Sequence, residues 1–175
     1  VGVDMAGAEG MVPMEHYRPL FARAKAEGIP FTIHAGECGS WENILTALSF
    51  GARRIGHGTA AIRSPQCMER LRESGAALEC CFTSNLQTRA VATPAEHPIR
   101  AFQQAGLRVT VNTDNPTVSA TTLANEHRVL ADQFGFSDAE FYRMDRTALE
   151  AAFVEDGQRK ALLARLETLW AEGQS

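Results

Sequence analysis

Short apolar segments alternate with amphipathic helical patterns along most of this chain, and that alternation limits its fold more than any other feature. Five short segments predict β-strands, four of them apolar and one, at residues 53–56, rich in charge; helical patterns fill the intervals between them. Strands that alternate with helices in this way form parallel sheets, with the helices as crossovers. The predicted strands cover residues 1–5, 31–34, 53–56, 76–82 and 107–112.

Capping residues mark the helix boundaries. Ser40 is a predicted N-cap, and Ser64 followed by Pro65 starts the next helix with a cap and a first-turn proline. Glycines end several of the helices, because glycine readily takes the left-handed conformation found there. The predicted helices cover residues 14–27, 40–50, 64–74, 98–106, 121–134, 138–153 and 155–172.

Polar side chains suited to catalysis or metal binding follow strand after strand. Parallel strands with helical crossovers form either a doubly wound open sheet or part of a (β/α)8 barrel. A barrel gathers its strand ends around one mouth, whereas an open sheet spreads them along a line. The repeated placement therefore favours an α/β fold with one domain over residues 1–175, a partial (β/α)8 barrel. The polar residues at the strand ends are Asp4, His34 with Glu37, His57, Ser84 with Asn85, and Asp114 with Asn115.

The composition excludes several classes of protein. Of the 175 residues, 45% are hydrophobic and 22% are charged, as expected for a globular domain with a core. A formal net charge of -4 gives no basis for binding nucleic acid or an anionic membrane. No apolar run approaches the roughly 18 residues of a membrane-spanning helix, and no signal-peptide pattern is present.

Two further features concern cellular setting and completeness. The four cysteines do not form a disulfide framework, so the sequence predicts a reducing, cytoplasmic setting. The chain begins Val-Gly-Val-Asp, without an initiator methionine and within a predicted strand. This start predicts that the chain is part of a longer protein.

The segment His34-Ala35-Gly36-Glu37 is placed at the tip of a buried strand. Neutral imidazole is a good ligand for zinc, and Asp114 offers a carboxylate for the same ion. Bound zinc lowers the pKa of its water toward about 7 and supplies hydroxide at neutral pH. The structural alternatives are a hydrogen-bonded core histidine for His34, a helix-capping carboxylate for Glu37, and a turn before Pro116 for Asp114.

His57 lies between Gly56 and Gly58, which let the backbone approach a ligand closely. Its predicted role is that of a base, or of an electrostatic partner that orients an attacking hydroxide. A structural histidine is the alternative. For Ser84 and Asn85 a plain turn or helix-cap role is predicted. The histidines predicted to be surface or packing residues are His16, His97 and His127.

With these residues assembled, the chain resembles the adenosine deaminase family of metal-dependent purine hydrolases. The likeness covers most of the chain, and its motifs follow in the same order and spacing. The family fold is a (β/α)8 barrel with zinc at the C-terminal mouth, so the resemblance implies that this chain holds strands four to eight and the C-terminal helices. The segments that carry it are Asp4-Met5-Ala6-Gly7, His34-Ala35-Gly36-Glu37, Arg54-Ile55-Gly56-His57-Gly58, Ser84-Asn85-Leu86-Gln87-Thr88 and Asn112-Thr113-Asp114-Asn115.

The resemblance also implies an activity. The reaction would be hydrolytic deamination of adenosine, or deoxyadenosine, to inosine and ammonia, with a purine nucleoside as the partner molecule and zinc as the cofactor. Zinc hydroxide would attack C6 of the base while Glu37 protonates N1. His57 would assist the zinc-bound water, and Asp114 would bind zinc and contact the hydroxide. His34 would be the zinc ligand of the fifth strand.

The resemblance implies substrate contacts from Gly7 to N3 of the base and from Asn115 to N7. Three departures from the family pattern accompany it. The sequence contains no His-x-His pair, so two zinc ligands of the family's first strand are missing. Asn115 stands where some members have an aspartate, and Cys81-Phe82 replaces an expected Cys-Pro pair.

The missing ligands leave two classes of function open. In the first, the parent protein is a deaminase and this chain is its inactive C-terminal part, completed by N-terminal strands of the same protein or by a homo-oligomer. In the second, the chain is a catalytically inactive module that binds a nucleoside or a partner. Within the enzyme class, adenine or another aminopurine is the alternative substrate.

Overall fold

A computed structural model describes residues 2–173 of the chain. This part contains a five-stranded sheet in which the strands follow one another in chain order, and every neighbouring pair is parallel. The predicted β–α alternation is therefore observed. The strands are β1 (Val3–Met5), β2 (Phe31–Ala35), β3 (Arg54–His57), β4 (Ala77–Cys80) and β5 (Arg108–Val111). The helices are α1 (Arg18–Ala26), α2 (Trp41–Phe50), α3 (Pro65–Ser74), α4 (Phe82–Gln87), α5 (Ile99–Gln104), α6 (Leu123–Phe134), α7 (Asp138–Ala151) and α8 (Asp156–Gly173), with 3-10 turns at Met14–Tyr17, Thr59–Arg63 and Pro94–Glu96.

The register of the sheet determines which residues meet at its carboxyl edge. β2 and β3 are aligned so that His34 pairs with Gly56 and Ala35 pairs with His57. β4 and β5 are paired up to Cys80 and Val111. Because all five strands are parallel, the loops that leave them start at one edge of the sheet.

The observed strands differ from the predicted ones at their ends. The strand predicted over residues 76–82 stops at Cys80, and α4 begins at Phe82. The strand predicted over residues 53–56 includes His57 at its end. Residue Val1 of the first predicted strand lies outside the described residues. The charge of Arg54 within β3 is balanced by an ion pair of 3.0 Å with Glu79 on β4.

An aromatic layer fixes the first two helices to the sheet. The ring of Phe21 on α1 stacks against Phe50 of α2, with centroids 5.6 Å apart, and contacts Phe31 of β2 at 4.7 Å. All three side chains are buried, Phe21 completely. Burial of rings of this size is among the largest apolar contributions to a core. The tip of β2, which carries His34, therefore emerges from a well-packed region.

Helix starts follow the predicted capping pattern at some positions and not at others. The Ser64 hydroxyl caps α3 by accepting a hydrogen bond of 3.2 Å from the N–H of Cys67. Ser40 occupies the N-cap position of α2, but its side chain makes no capping hydrogen bond. At the start of α7, Ser137 and Glu140 form a complete capping box.

The C-terminal helices cover the last strand. α7 packs against β5, and α8 packs against α7. Arg100 of α5 forms an ion pair with Glu140 of α7 and so joins the two helices. None of the helices within residues 2–173 is long and apolar enough to cross a lipid bilayer.

Candidate active site

A cavity of about 360 Å³ opens at the carboxyl edge of the sheet. Its wall takes side chains from the ends of the strands and from the loops that follow them. Three of the predicted site residues, His34, His57 and Asp114, line this cavity together. Asp4, at the end of β1, contributes a further carboxylate.

Two of these residues have strained backbone conformations. His57 has a φ of 64° and Asp114 a φ of 56°, in the left-handed region that non-glycine residues rarely adopt. Conformations of this kind cost roughly 1–3 kcal/mol each and cluster at functional sites. Gly56 also shapes the site, because a Cβ at this position would lie only 2.7 Å from Cδ2 of His34. Glycine at this position therefore lets the His34 ring lie against β3.

Glu37 follows β2 and directs its carboxylate toward His57. Its Oε2 is 3.6 Å from Nε2 of His57, and its Oε1 accepts a hydrogen bond of 2.9 Å from the Thr88 hydroxyl. The Glu37 side chain is 16% exposed, so it is largely removed from water but still accessible. Its hydrogen bonds run to α4 and not to the start of α2. Glu37 therefore does not cap α2, which was the structural alternative for this residue.

The short helix α4 supplies site partners that the sequence did not predict. Ser84 donates a hydrogen bond of 2.6 Å to Oδ2 of Asp114. Asn85 is fully buried, and its Nδ2 lies 2.9 Å from Nδ1 of His57 and 3.5 Å from Oε1 of Glu37. The prediction of a plain turn or cap role for Ser84 and Asn85 is wrong, because both side chains hold the charged and imidazole groups of the site.

His97, predicted to be a surface or packing residue, is buried and extends this network. Its Nε2 lies 3.2 Å from Oδ1 of Asn85, and its Nδ1 accepts a hydrogen bond of 3.3 Å from the N–H of Ile99. Its ring also packs against Phe82, with centroids 5.3 Å apart. Burial, assisted by the nearby imidazole of His57, lowers the pKa of His97 to about 4. His97 is therefore uncharged near neutral pH.

Burial is also the main influence on His57, whose side chain is 1% exposed. It lowers the pKa of His57 below the ordinary value for histidine, and the neighbouring His34 acts in the same direction. The carboxylates of Glu37 and Asp114 oppose this shift. Nε2 of His57 also lies 3.2 Å from Nδ1 of His34. Burial therefore favours the neutral imidazole of His57.

Glu9 holds the loop after β2 in place, a role that no sequence pattern predicts. Its carboxylate accepts hydrogen bonds of 2.6–3.2 Å from the backbone N–H groups of residues 36–39, and one of 2.9 Å from the Asn43 side chain. Successive N–H groups that converge on one anion form a nest. The glycines Gly36 and Gly39 in this loop are the only local sign of such a nest. Glu9, the residue whose carboxylate occupies it, lies 27 to 30 positions earlier in the sequence.

The predicted substrate-binding residues lie at the margin of the site. Gly7 lines a smaller cavity of about 60 Å³, which shares His34 with the main cavity. Asn115 is exposed, and its Oδ1 accepts hydrogen bonds of 3.1 Å from the N–H groups of Thr117 and Val118. Because these bonds occupy Oδ1 in an Asx turn, the Nδ2 group of Asn115 is the part of the side chain that could donate a hydrogen bond to a ligand.

The metal donors form an incomplete set. Nε2 of His34 lies 3.7 Å from Oδ1 of Asp4, and Asp114 lines the same cavity. Within residues 2–173, no three His, Cys, Asp or Glu side chains are arranged so as to hold a metal ion. Zinc sites use three or four protein ligands. His34 and Asp114 are suited to zinc by their chemistry, but two donors fall short of a complete site.

Solved structures match the chain over nearly its whole length. An adenine deaminase from Arthrobacter aurescens is similar with a TM-score of 0.91 at 28% identity, over 98% of this chain and 52% of that one. An amidohydrolase from Burkholderia ambifaria, with bound Zn, has a TM-score of 0.89 at 27% identity, over 98% and 49%. These neighbours are (β/α)8-barrel proteins of which the chain matches half, so the predicted partial barrel is confirmed.

Comparisons of sequence agree with the structural ones. The adenosine deaminase of Haemophilus ducreyi is 44% identical over 167 residues, which cover 95% of this chain and 48% of the relative. The adenine deaminase of Agrobacterium fabrum is 44% identical over 166 residues, covering 94% and 51%. The chain thus spans about half the length of these relatives. The family profile described as adenosine deaminase matches residues 1–169, and the chain belongs to the adenosine deaminase family.

Proposed function

We propose that this chain is the C-terminal part of a protein that hydrolyses adenosine or deoxyadenosine to the inosine product and ammonia. The observation that carries the proposal is the Glu37 carboxylate, 3.6 Å from His57 beside a cavity that His34 and Asp114 also line. A carboxyl group, a buried imidazole and metal donors at one pocket are the groups needed for hydrolysis of an aromatic amine. Membership of the adenosine deaminase family supports the same reaction.

Hydrolytic deamination replaces the bond from C6 to nitrogen by a bond from C6 to the oxygen of water. We assign Glu37 as the acid that protonates N1 of the purine, because protonation there makes C6 electrophilic. The Thr88 hydroxyl and the Asn85 amide both donate to Oε1 of Glu37. Oε2 is therefore the oxygen proposed to carry the transferred proton.

Asp114 and His57 are the residues proposed to act on the attacking water. The Ser84 hydroxyl occupies Oδ2 of Asp114, so Oδ1 remains for contact with a ligand. His57 presents Nε2 on the side of Glu37 and His34. Both residues have left-handed backbone conformations at strand ends, which supports a functional reason for their placement.

Zinc is the proposed cofactor, with His34 and Asp114 as two of its ligands. When bound, zinc lowers the pKa of a coordinated water molecule. The donors in residues 2–173 do not complete a zinc site, so we propose that the remaining ligands belong to the part of the parent protein that this chain does not include. A homo-oligomer that supplies them is the alternative.

Gly7 and Asn115 are the proposed contacts to the purine ring. Both would read the base and neither would read the ribose. The two relatives named above, an adenosine deaminase and an adenine deaminase, are equally similar to this chain at 44% identity. Free adenine is therefore the second candidate substrate.

Steady-state assays of the full-length, zinc-loaded protein test the proposal with adenosine, deoxyadenosine and adenine. Glu37→Gln keeps the shape of the side chain but cannot act as the acid, so we expect kcat to fall on the order of 1,000-fold. Glu42→Gln removes the same charge from an exposed position in the first turn of α2 and is the matched control.

Two results would contradict the assignment. Wild-type turnover by Glu37→Gln would show that another group protonates the ring. A zinc-loaded wild-type protein that binds nucleoside but deaminates none of the three compounds would support the inactive binding module instead.

A further inference from the structure

We propose that Arg63 and Arg89 form a binding site for an organic phosphate monoester, separate from the cavity at the carboxyl edge of the sheet. Both arginines line a second cavity of about 420 Å³, the arginine cavity. Among residues 2–173, none lines both this cavity and the one that contains His34 and Asp114. The proposal does not depend on the proposed deamination, because binding is measured without turnover.

Both arginines are available to an anion. Their side chains are exposed, and within the described part of the chain neither takes part in an ion pair or a side-chain hydrogen bond. Other arginines are paired with carboxylates, as Arg18 is with Glu15. A planar guanidinium can donate two parallel hydrogen bonds to a phosphate group. Two unpaired guanidinium groups on one cavity wall therefore favour a phosphate as the ligand.

The backbone at Arg89 is strained. Its φ is 60°, in the left-handed region that glycine adopts readily and that other residues rarely adopt. Strained conformations of this kind cluster at ligand-binding and functional sites. Since the Arg89 side chain bonds to no polar group of residues 2–173, no internal interaction of the guanidinium offsets the strain. A ligand that binds the guanidinium supplies a reason for arginine at this position.

Buried groups hold the wall of the arginine cavity in shape. Thr59 in this wall is 4% exposed, and its hydroxyl donates a hydrogen bond of 2.9 Å to the carbonyl oxygen of Gly36. Val91 is also buried, and its N–H donates a hydrogen bond of 3.2 Å to the carbonyl oxygen of Asn85. The wall is therefore formed before a ligand binds, which reduces the entropy lost on binding.

The size and the lining of the arginine cavity favour an organic phosphate over inorganic phosphate. Cavities that bind small organic molecules have volumes of about 300–1,000 Å³, and the arginine cavity falls within that range. Apolar side chains beside the two arginines would contact the organic part of the ligand. These side chains are Ile62, Ala90, Val91, Ala92 and Pro98.

Glu96 supplies the only carboxylate that residues 2–173 contribute to this wall, and its charge opposes an anion. Its Oε1 accepts a hydrogen bond of 2.8 Å from the Thr93 hydroxyl. Two arginines and one glutamate leave the wall with a formal charge of +1, whereas the whole chain has a formal charge of -4. The attraction of an anion is therefore local to this wall and is not a general property of the protein surface.

Isothermal titration calorimetry of the full-length, zinc-loaded protein with phenyl phosphate measures the proposed binding. Phenol and inorganic phosphate, titrated at the same ionic strength, are the comparison compounds. We expect phenyl phosphate to bind more tightly than inorganic phosphate and phenol to show no binding, because the arginines recognise the phosphate and the apolar side chains recognise the ring.

Four variants attribute the binding to this wall. Arg63→Ala and Arg89→Gly should each weaken phenyl phosphate binding about tenfold or more, because each removes hydrogen bonds to a charged group. Arg89→Gly should also raise the thermal stability, because glycine adopts the left-handed conformation without strain. Glu96→Gln should tighten binding, because it removes the opposing charge. Arg143→Ala removes an exposed charge from α7 and, as the matched control, should leave binding unchanged.

Equal affinities of the wild-type, Arg63→Ala and Arg89→Gly proteins would overturn the proposal, because phenyl phosphate would then bind elsewhere. Weaker binding by Glu96→Gln would also contradict it. Competition between phenyl phosphate and inosine that Arg63→Ala abolishes would show that the site is not separate from the purine site. A protein that binds phenyl phosphate as expected but deaminates no purine would refute only the proposed function.

Discussion

The carboxylate of Glu9 accepts hydrogen bonds from four consecutive backbone N–H groups of the loop that carries Glu37. Loop residues without such an anchor would sample several conformations, and an acid displaced by about 1 Å can lose on the order of 100-fold in rate. The position of the proposed acid therefore depends on Glu9 as much as on the residues that contact Glu37 directly.

Glu9→Gln tests this dependence. An amide has one acceptor oxygen, and its NH₂ group would oppose loop N–H groups that now meet a carboxylate. We expect the free energy of unfolding to fall by about 2 kcal/mol and kcat to fall on the order of 100-fold. Urea denaturation and steady-state kinetics of the full-length protein measure both.

Glu27→Gln is the matched control for Glu9→Gln, because Glu27 pairs with Arg23 on the exposed face of α1 and should contribute little. Equal effects of the two substitutions would show that the nest has no special role.

Residue chemistry explains which site residues the sequence predicts. His34, His57 and Asp114 are identifiable because their side chains suit metal or proton chemistry and each follows a strand. Asn85 and His97 have no such signature. Their roles come from contacts with residues 28 and 12 positions away, respectively, which a single sequence does not reveal.

At the scale of elements, apolar runs predict four of the five strands, and β3 is predicted in spite of its two arginines, but α4 was missed. The segment Phe82–Gln87 contains threonine, serine and asparagine, and a single apolar pair, Phe82 and Leu86, is too short a repeat to indicate a helix. Its start is fixed by tertiary contacts: the fully buried Glu126 of α6 accepts hydrogen bonds from the N–H and hydroxyl of Thr83. A helix capped by a residue 43 positions away has no local signal.

The two predicted serine caps provide an experiment at this scale. Ser64→Ala removes the hydroxyl that accepts from the buried N–H of Cys67, so we expect a loss of about 1 kcal/mol in the free energy of unfolding. Ser40→Ala changes the N-cap of α2, where no side-chain hydrogen bond forms, and should change stability by less than about 0.5 kcal/mol. Denaturation of both variants of the full-length protein measures the difference. A loss at Ser40 equal to that at Ser64 would contradict the observed cap geometry.

At the scale of the whole molecule, the sheet of residues 2–173 has two edges. β1 lies at one end and β5 at the other, and the Val3 and Asp4 side chains of β1 are exposed. Unpaired strand edges favour association with other chains, and a closed barrel removes them. The relatives are about twice as long as the aligned part, so each contains enough chain to close a barrel. The family resemblance implied this arrangement from the sequence, because it assigns strands four to eight of the family barrel to this chain.

The chain of residues 1–175 should not deaminate adenosine when it is expressed alone. Its described residues supply His34 and Asp114 as zinc donors but no arrangement of three, and a site with fewer than three protein ligands holds zinc weakly. We expect no detectable turnover with added zinc, and concentration-dependent association in sedimentation experiments because of the open edges.

Fusing this chain to the part of the Haemophilus ducreyi relative that it does not cover should give a closed and active protein, if that part supplies the strands and zinc ligands that we propose this chain lacks. Asp114→Asn in the fused protein should abolish the restored activity, because the proposed ligand loses its charge. Ser40→Ala should not, because its side chain makes no capping hydrogen bond. Robust turnover by the chain alone would show that the two donors suffice or that a second copy supplies the others. Sedimentation distinguishes those cases, because only the second requires an active species larger than the monomer.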